Sequence, residues 1–174
     1  QTILSEAKQV RHHVGLIDVS TLGKLQITGP DAAEFLERIY TGRFHKQPTE
    51  RLRYGLACDE TGVVLEDGVI ARLAKDHFYV TATRGGSGSF YRELLRWRQL
   101  FQLNVQISNL TGQLAALNLA GPESRNVLKE LASLDVSGDA FPYLGVRRGT
   151  VAGVSATLMR VGFVGELGYE IHVP

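Results

Sequence analysis

The chain has 174 residues, 44% hydrophobic and 21% charged with 19 glycines, a composition that builds a buried core and excludes disordered and fibrous classes. Nineteen basic against eighteen acidic side chains leave a formal charge of +1, which supplies no broad basic field for nucleic acid or an anionic membrane, and the short apolar runs exclude a bilayer-spanning helix. This length holds one sizeable core or two small ones sharing a sheet, and one compact unit is the default expectation.

The single cysteine, Cys58, makes neither an internal disulfide nor a cysteine-based zinc site, and the first residues lack the pattern of a secretory signal. A reducing compartment, the cytoplasm, is therefore expected. Gln1 is not an initiator, and Tyr169 to Pro174 reads as a strand that stops without a partner. Together these predict a fragment of a longer protein.

In chain order, Leu4 to Val14 reads as a short amphipathic helix, and Gly15 to Thr28 switches to the two-residue period of strands. Gly29-Pro30-Asp31 then opens a helix expected from Pro30 to about Tyr40, with Phe35, Leu36 and Ile39 inward. Strands follow over Arg53 to Cys58, Val63 to Leu73 and His77 to Thr83, the first two joined by the turn Asp59 to Gly62. A helix from Gly86 to about Leu103, carrying Phe90, Leu94, Leu95, Trp97 and Phe101, is expected to link two halves. Strands are expected again over Gly145 to Val151, Ser155 to Val161 and Tyr169 to Val173, with a turn near Gly153.

The halves resemble each other. Residues 25–36 can be laid over residues 117–128, and both stretches read strand, Gly-Pro-acid, helix. Hairpins mixed with helices predict an α+β fold: antiparallel or mixed sheets with helices, in two pseudo-repeated strand–helix–hairpin halves. A doubly wound parallel sheet needs a helix after nearly every strand, and the hairpins break that order.

Among candidate functional residues, Asp67 stands out. Alternation along Val63 to Leu73 puts it on one face with Val63, Leu65, Val69 and Ala71, the more apolar face, and Glu66 on the other. A carboxylate there needs a partner or a ligand to offset several kcal/mol of lost hydration. It is either a buried structural acid, paired with an arginine or placed at a bulge by Gly68, or a functional group. Glu166 lies in Gly162-Phe163-Val164-Gly165-Glu166-Leu167-Gly168, where glycines allow close backbone approach. It is either a solvated hairpin acid or an acceptor for a planar, amidine-like ring edge.

Residues 81–89, rich in Thr, Gly and Ser, end a strand and open a helix without the spacing of a dinucleotide fingerprint. The simpler reading is a helix start capped by Ser87 or Ser89. The five histidines lack ligand spacing, so no metal site is expected. No nucleophile elbow is present, and Cys58 at a strand end reads as core.

Several stretches, taken together, resemble the aminomethyltransferase family, which includes the T-protein of the glycine cleavage system and the folate-binding regions of sarcosine- and dimethylglycine-oxidising enzymes. They are residues 15–25 (GLIDVSTLGKL), residues 27–36 (ITGPDAAEFL), Arg53-Tyr54-Gly55-Leu56, residues 62–69 (GVVLEDGV) and residues 162–170 (GFVGELGYE), in order over nearly the whole chain. Tyr40-Thr41, Tyr54-Gly55-Leu56, Ala140-Phe141-Pro142 and residues 165–168 are most similar to the C-terminal region of sarcosine oxidase alpha subunits. Gly42 stands where the family often has asparagine, and Glu66 where it often has aspartate.

The resemblance implies a cloverleaf of three subdomains around a folate channel, of which residues 1–174 would supply the N-terminal part. It implies an enzyme that binds tetrahydrofolate and receives a one-carbon unit from sarcosine, dimethylglycine or glycine, forming methylene-tetrahydrofolate, with flavin on other domains or flavoprotein subunits. By the same resemblance Asp67 would be catalytic, Glu166 would bind the pterin, and Tyr54, Thr83 and Arg160 would border the channel. Alternatives are a non-catalytic folate-binding relative acting in iron–sulfur protein assembly, and an interaction module with a degenerate site.

Overall fold

The computed structural model describes residues 2–174, which divide into two compact units rather than the expected one: Thr21–Gln113, and the chain up to Ser20 joined by Leu114–Pro174. The division falls inside the stretch expected as one run of strand. Helix α1 (Thr2–His12) leads into β1 (Gly15–Asp18), where the Asp18 carboxylate accepts the Ser20 N–H at 2.8 Å and turns the chain. The next strand, β2 (Gly23–Thr28), belongs to the other unit and the other sheet.

The unit Thr21–Gln113 continues with α2 (Ala32–Ile39), β3 (Arg51–Cys58), β4 (Val64–Ala74), β5 (His77–Ala82), α3 (Ser87–Phe101) and β6 (Gln106–Asn109). Its sheet is antiparallel in the order β3-β4-β5-β2-β6. Helix α2 buries Phe35, Leu36 and Ile39, the residues expected to face inward. Helix α3 does not link halves: Phe90 and Leu94 bury in this unit's own core with Leu25, Ile27, Phe35, Ile70 and Phe78. Each such side chain contributes roughly 1.5–3 kcal/mol of burial. Neither Ser87 nor Ser89 caps α3; the Thr83 hydroxyl accepts the Gly86 N–H at 3.2 Å instead.

The other unit adds β7 (Ala115–Ala120), α4 (Ser124–Leu131), β8 (Val146–Val151), β9 (Val154–Met159) and β10 (Gly168–Val173) to α1 and β1, again antiparallel, in the order β1-β7-β10-β9-β8. The last strand is therefore no abandoned edge. It lies inside the sheet, bonded to β7 on one side and β9 on the other. Leu128, Phe141, Leu158 and Tyr169 centre this second core.

The repeat seen in the sequence is a repeat of structure. Gly29 and Gly121 both adopt positive φ, +127° and +129°, and each carbonyl accepts the N–H three residues on, from Ala32 at 3.1 Å and Ser124 at 3.0 Å. A Cβ on Gly29 would collide with the Asn104 carbonyl, and one on Gly121 with the His13 carbonyl, so only glycine fits either site. Proline is not the first helical residue in either copy: the acids Asp31 and Glu123 hold the N-cap position, and the helices begin one residue later. Both helices end on an extended residue that bridges to a neighbouring strand, Tyr40 to Ala57 and Ala132 to Val151. The two sheets are one strand plan used twice, with an edge strand exchanged: β1 precedes β2 in the chain but pairs with β7, and β6 precedes β7 but pairs with β2.

Candidate functional site

In the unit Thr21–Gln113 the candidate residues gather on the β3–β4 hairpin. Asp59 Oδ1 accepts the N–H groups of Thr61 at 2.9 Å and Val63 at 3.0 Å, and Gly62 takes φ +87°, which closes the turn as expected from the sequence. The hydrogen bond from the Thr61 hydroxyl, followed by that from Val63, holds the Asp59 carboxyl below its ordinary value. Register then pairs Leu56 with Asp67, Tyr54 with Val69 and Ala57 with Glu66.

Cross-strand partners share a face, so Asp67, Leu56, Tyr54 and Val69 lie on one side of the hairpin, and Glu66, Ala57 and Tyr40 on the other. This reverses the expected assignment of the two acids. The core-facing carboxylate is Glu66, 3% exposed, whereas Asp67 is half-buried near the turn end of the opposite face, beside an exposed Tyr54 and an exposed Leu65. Of the apolar residues on Asp67's face, Val69 and Ala71 are buried, whereas Val63 and Leu65 sit beside the turn and are exposed, so that face opens where Asp67 stands. A bulge at Ala57/Cys58 further breaks the alternation there and leaves Cys58 half-buried.

Among the described residues no arginine pairs with Asp67. Its Oδ2 accepts a hydrogen bond from the Tyr54 hydroxyl, donated from the diagonal position across the strands. That bond, then desolvation and the Asp67 charge, raises the Tyr54 phenol above its ordinary value. Asp67 Oδ1 accepts nothing among the described residues.

Behind Asp67, Glu66 is fully employed. Oε1 accepts the N–H groups of Thr83 at 2.9 Å and Asp67 at 3.1 Å, and Oε2 accepts the Thr83 hydroxyl at 3.1 Å. These bonds offset the desolvation of a buried charge, and they tie the strand carrying Asp67 to the turn carrying Thr83. A Cβ on Gly86 would stand 2.3 Å from Glu66 Oε2, so a side chain there would push this carboxylate out of place. Tyr40 completes this face: its ring packs edge-on against Phe90 at 5.7 Å, and its buried hydroxyl has no hydrogen-bond partner among the described residues. Burial first, then the charges of Glu66 and Asp67, pushes the Tyr40 phenol far above its ordinary value.

The other unit carries Glu166 and Arg160. Glu166 follows Gly165, which takes φ +78°, and its Oε1 accepts the Arg11 guanidinium Nη1 at 2.7 Å. Phe163, three residues earlier, is 96% exposed. Arg160 is half-buried at the end of β9; its Nη1 donates to the Phe141 carbonyl at 3.1 Å, and its buried Nε has no partner among the described residues. Glu66, Tyr40 and Arg11 were not among the sequence-predicted functional residues. Glu66 had a readable signal, an acid one step out of phase with Asp67 beside a bulge-prone glycine.

Asp67 and Tyr54 are thus brought into direct contact, Thr83 is joined to Asp67 through Glu66, and Glu166 keeps one oxygen that accepts no hydrogen bond among the described residues. A half-buried carboxylate with a phenol on one oxygen can take up a proton or face a developing cation with the other. A carboxylate beside an exposed aromatic on a glycine-rich turn can receive the donor edge of a flat heterocycle.

A family model described as the GCVT N-terminal domain matches residues 1–174, the whole chain. The chain belongs to the GCVT N-terminal domain family. It is 42% identical over 178 residues to the sarcosine oxidase subunit alpha of Corynebacterium sp. strain U-96, covering all of this chain and 18% of that protein. It is 32% identical over 171 residues to an aminomethyltransferase of Alkaliphilus metalliredigens, covering 98% of this chain and 46% of that protein. The crystal structure of the glycine cleavage system aminomethyltransferase T from Bartonella henselae superposes with a TM-score of 0.87 at 26% identity, over 99% of this chain and 45% of that one. The GCVT N-terminal domain described here therefore spans less than half the length of these relatives. The relatives are enzymes, and the α+β reading with two antiparallel sheets agrees with the aminomethyltransferase T structure. No helix among the described residues is long and apolar enough to cross a membrane.

Proposed function

We propose that this domain holds tetrahydrofolate while a one-carbon unit from sarcosine, dimethylglycine or glycine is loaded onto it, as part of an amine-oxidising enzyme of the sarcosine oxidase type. Flavin, in this reading, belongs to other domains or to flavoprotein subunits. The observation that carries the proposal is the Tyr54–Asp67 pair: a half-buried carboxylate near the hairpin turn, held by a phenol at one oxygen and accepting no hydrogen bond at the other among the described residues. The 42% identity to a sarcosine oxidase alpha subunit supports the choice of enzyme type.

The residues fit the group. A pterin presents adjacent N–H donors on one edge, and Glu166 offers an oxygen that accepts no other hydrogen bond among the described residues. Arg160 has a buried Nε donor that no described residue satisfies, which suits an oxygen or ring-nitrogen acceptor. Tetrahydrofolate supplies the nitrogens that receive the one-carbon unit. Asp67 faces the positive charge that develops during transfer and takes up the released proton at Oδ1, while Tyr54 fixes Oδ2. Glu66 holds Asp67 through its peptide N–H and Thr83 through N–H and hydroxyl, so the turn at Thr83 and the carboxylate move as one piece.

Two substitutions in the full-length protein test the reading. Asp67→Ala lowers the yield of methylene-tetrahydrofolate per amine oxidised while tetrahydrofolate still binds, and Glu166→Ala weakens binding of tetrahydrofolate measured by titration. Unchanged product with Asp67→Ala makes Asp67 structural, and unchanged affinity with Glu166→Ala removes the pterin role.

A further inference from the structure

The Arg11–Glu166 ion pair joins residues 155 positions apart, and it lies on a segment where little else fixes the acid. Gly162, Gly165 and Gly168 surround Glu166, and Gly165 takes φ +78°, so the turn imposes few steric limits on the glutamate side chain. Arg11 sits in the last turn of α1, and its Nη1 comes to the open side of Gly165, 3.6 Å from where a Cβ would stand. Its guanidinium occupies one of about four lone-pair positions that a carboxylate offers. Oε2 is left without a hydrogen bond among the described residues.

We infer that Arg11 is a positioning residue for Glu166: it holds Oε1 so that the remaining acceptor positions face a neutral, flat ligand edge with two adjacent N–H donors. The inference rests on the pterin reading of Glu166. It adds a reason for the ligand's charge. A carboxylate already neutralised by a guanidinium gains little from a second cation, so an ammonium ligand is disfavoured and a neutral amino-pyrimidinone edge is preferred. It also moves an ordering cost. A glutamate on a glycine-rich turn must be immobilised before it can bind a ligand with both oxygens, and Arg11 does this before the ligand arrives.

The ion pair is partly open to water, with 54% of the arginine side chain and 25% of the glutamate side chain exposed, which limits its strength. The expected effect is correspondingly modest. In the full-length protein, Arg11→Ala weakens tetrahydrofolate binding roughly three- to tenfold, Arg11→Lys recovers part of the loss, and the unfolding midpoint stays where it was. The double variant Arg11→Ala/Glu166→Ala binds no more weakly than Glu166→Ala alone, because Arg11 acts through Glu166. Tighter binding in Arg11→Ala overturns the inference, since Arg11 would then compete with the ligand, and an equal loss in both backgrounds overturns it by making Arg11 merely structural. If Glu166→Ala weakens binding and Arg11→Ala does not, the positioning role alone fails; if neither changes affinity, the pterin reading itself fails.

Discussion

Tyr54 and Asp67 meet across the β3–β4 hairpin because Tyr54 pairs with Val69, two residues beyond Asp67 on the same face, and a tyrosine is long enough to reach the diagonal neighbour. The contact is made in the open: Tyr54 is 56% exposed, so its hydroxyl has water available and bonds the carboxylate instead. A bond of that kind adds little to stability and much to the orientation of the acid.

Tyr54→Phe is accordingly expected to leave the unfolding free energy within about 1 kcal/mol of the parent protein. The same substitution should lower the rate of one-carbon transfer by roughly tenfold, with a smaller effect on tetrahydrofolate affinity. Chemical denaturation and single-turnover kinetics on the same preparation separate the two. A large stability loss with unchanged transfer would mean that the pair holds the hairpin and does not orient Asp67.

Glu66 predicts the opposite balance. Its carboxylate is buried and takes hydrogen bonds from Thr83 N–H, Thr83 Oγ1 and Asp67 N–H. Glu66→Ala strands three donors and should cost roughly 2–4 kcal/mol in urea unfolding. Glu66→Gln keeps an oxygen for the two N–H groups and should cost less. Equal losses for the two variants would show that the negative charge, which both remove, matters at this position rather than the bonds to the two N–H groups.

Gly29→Ala and Gly121→Ala test whether the repeat is structural in detail. Both positions combine positive φ with a carbonyl oxygen where a Cβ would go, Asn104 in one copy and His13 in the other. Each substitution should destabilise its own unit by roughly 2–4 kcal/mol. Thermal unfolding checks this, and a pair of substitutions with very different effects would mean that the two turns are alike in backbone only.

Much of this fold was legible in the sequence where local chemistry is self-sufficient. The Asp59–Gly62 turn carries its own hydrogen-bond acceptor and its own positive-φ glycine, and the Gly-Pro-acid pattern marks the same strand-to-helix corner twice. Legibility failed where pairing is decided far along the chain. Strand β6 is four residues long with only Ile107 buried, which leaves no period to read. The exchange of β1 and β6 between sheets cannot be seen in either segment alone. The same limit blurred the faces of β4: Val69 and Ala71 on Asp67's face are buried, but Val63 and Leu65 flank the hairpin turn and are exposed, so the face opens at Asp67 and the buried acid is Glu66. Arg11 escaped notice because its partner is 155 residues away.

Tyr40 offers a test of the buried face that needs no ligand. Its phenol is raised by burial and by the neighbouring negative charges of Glu66 and Asp67. A phenol ionises near pH 10 in the unfolded chain. Because the folded value lies above the unfolded one, the protonated hydroxyl contributes no loss of stability below about pH 10, and stability falls as pH rises past it, since only the unfolded state releases the proton. One such group makes the unfolding free energy fall by roughly 1.4 kcal/mol per pH unit in that range. Tyr40→Phe removes the ionisable oxygen and also a buried hydroxyl with no hydrogen-bond partner among the described residues, so it should be neutral or stabilising at pH 7 and should flatten the decline above pH 10. Urea unfolding of the two proteins between pH 8 and 11 compares the slopes, and parallel slopes would mean that water reaches the Tyr40 hydroxyl in the folded protein.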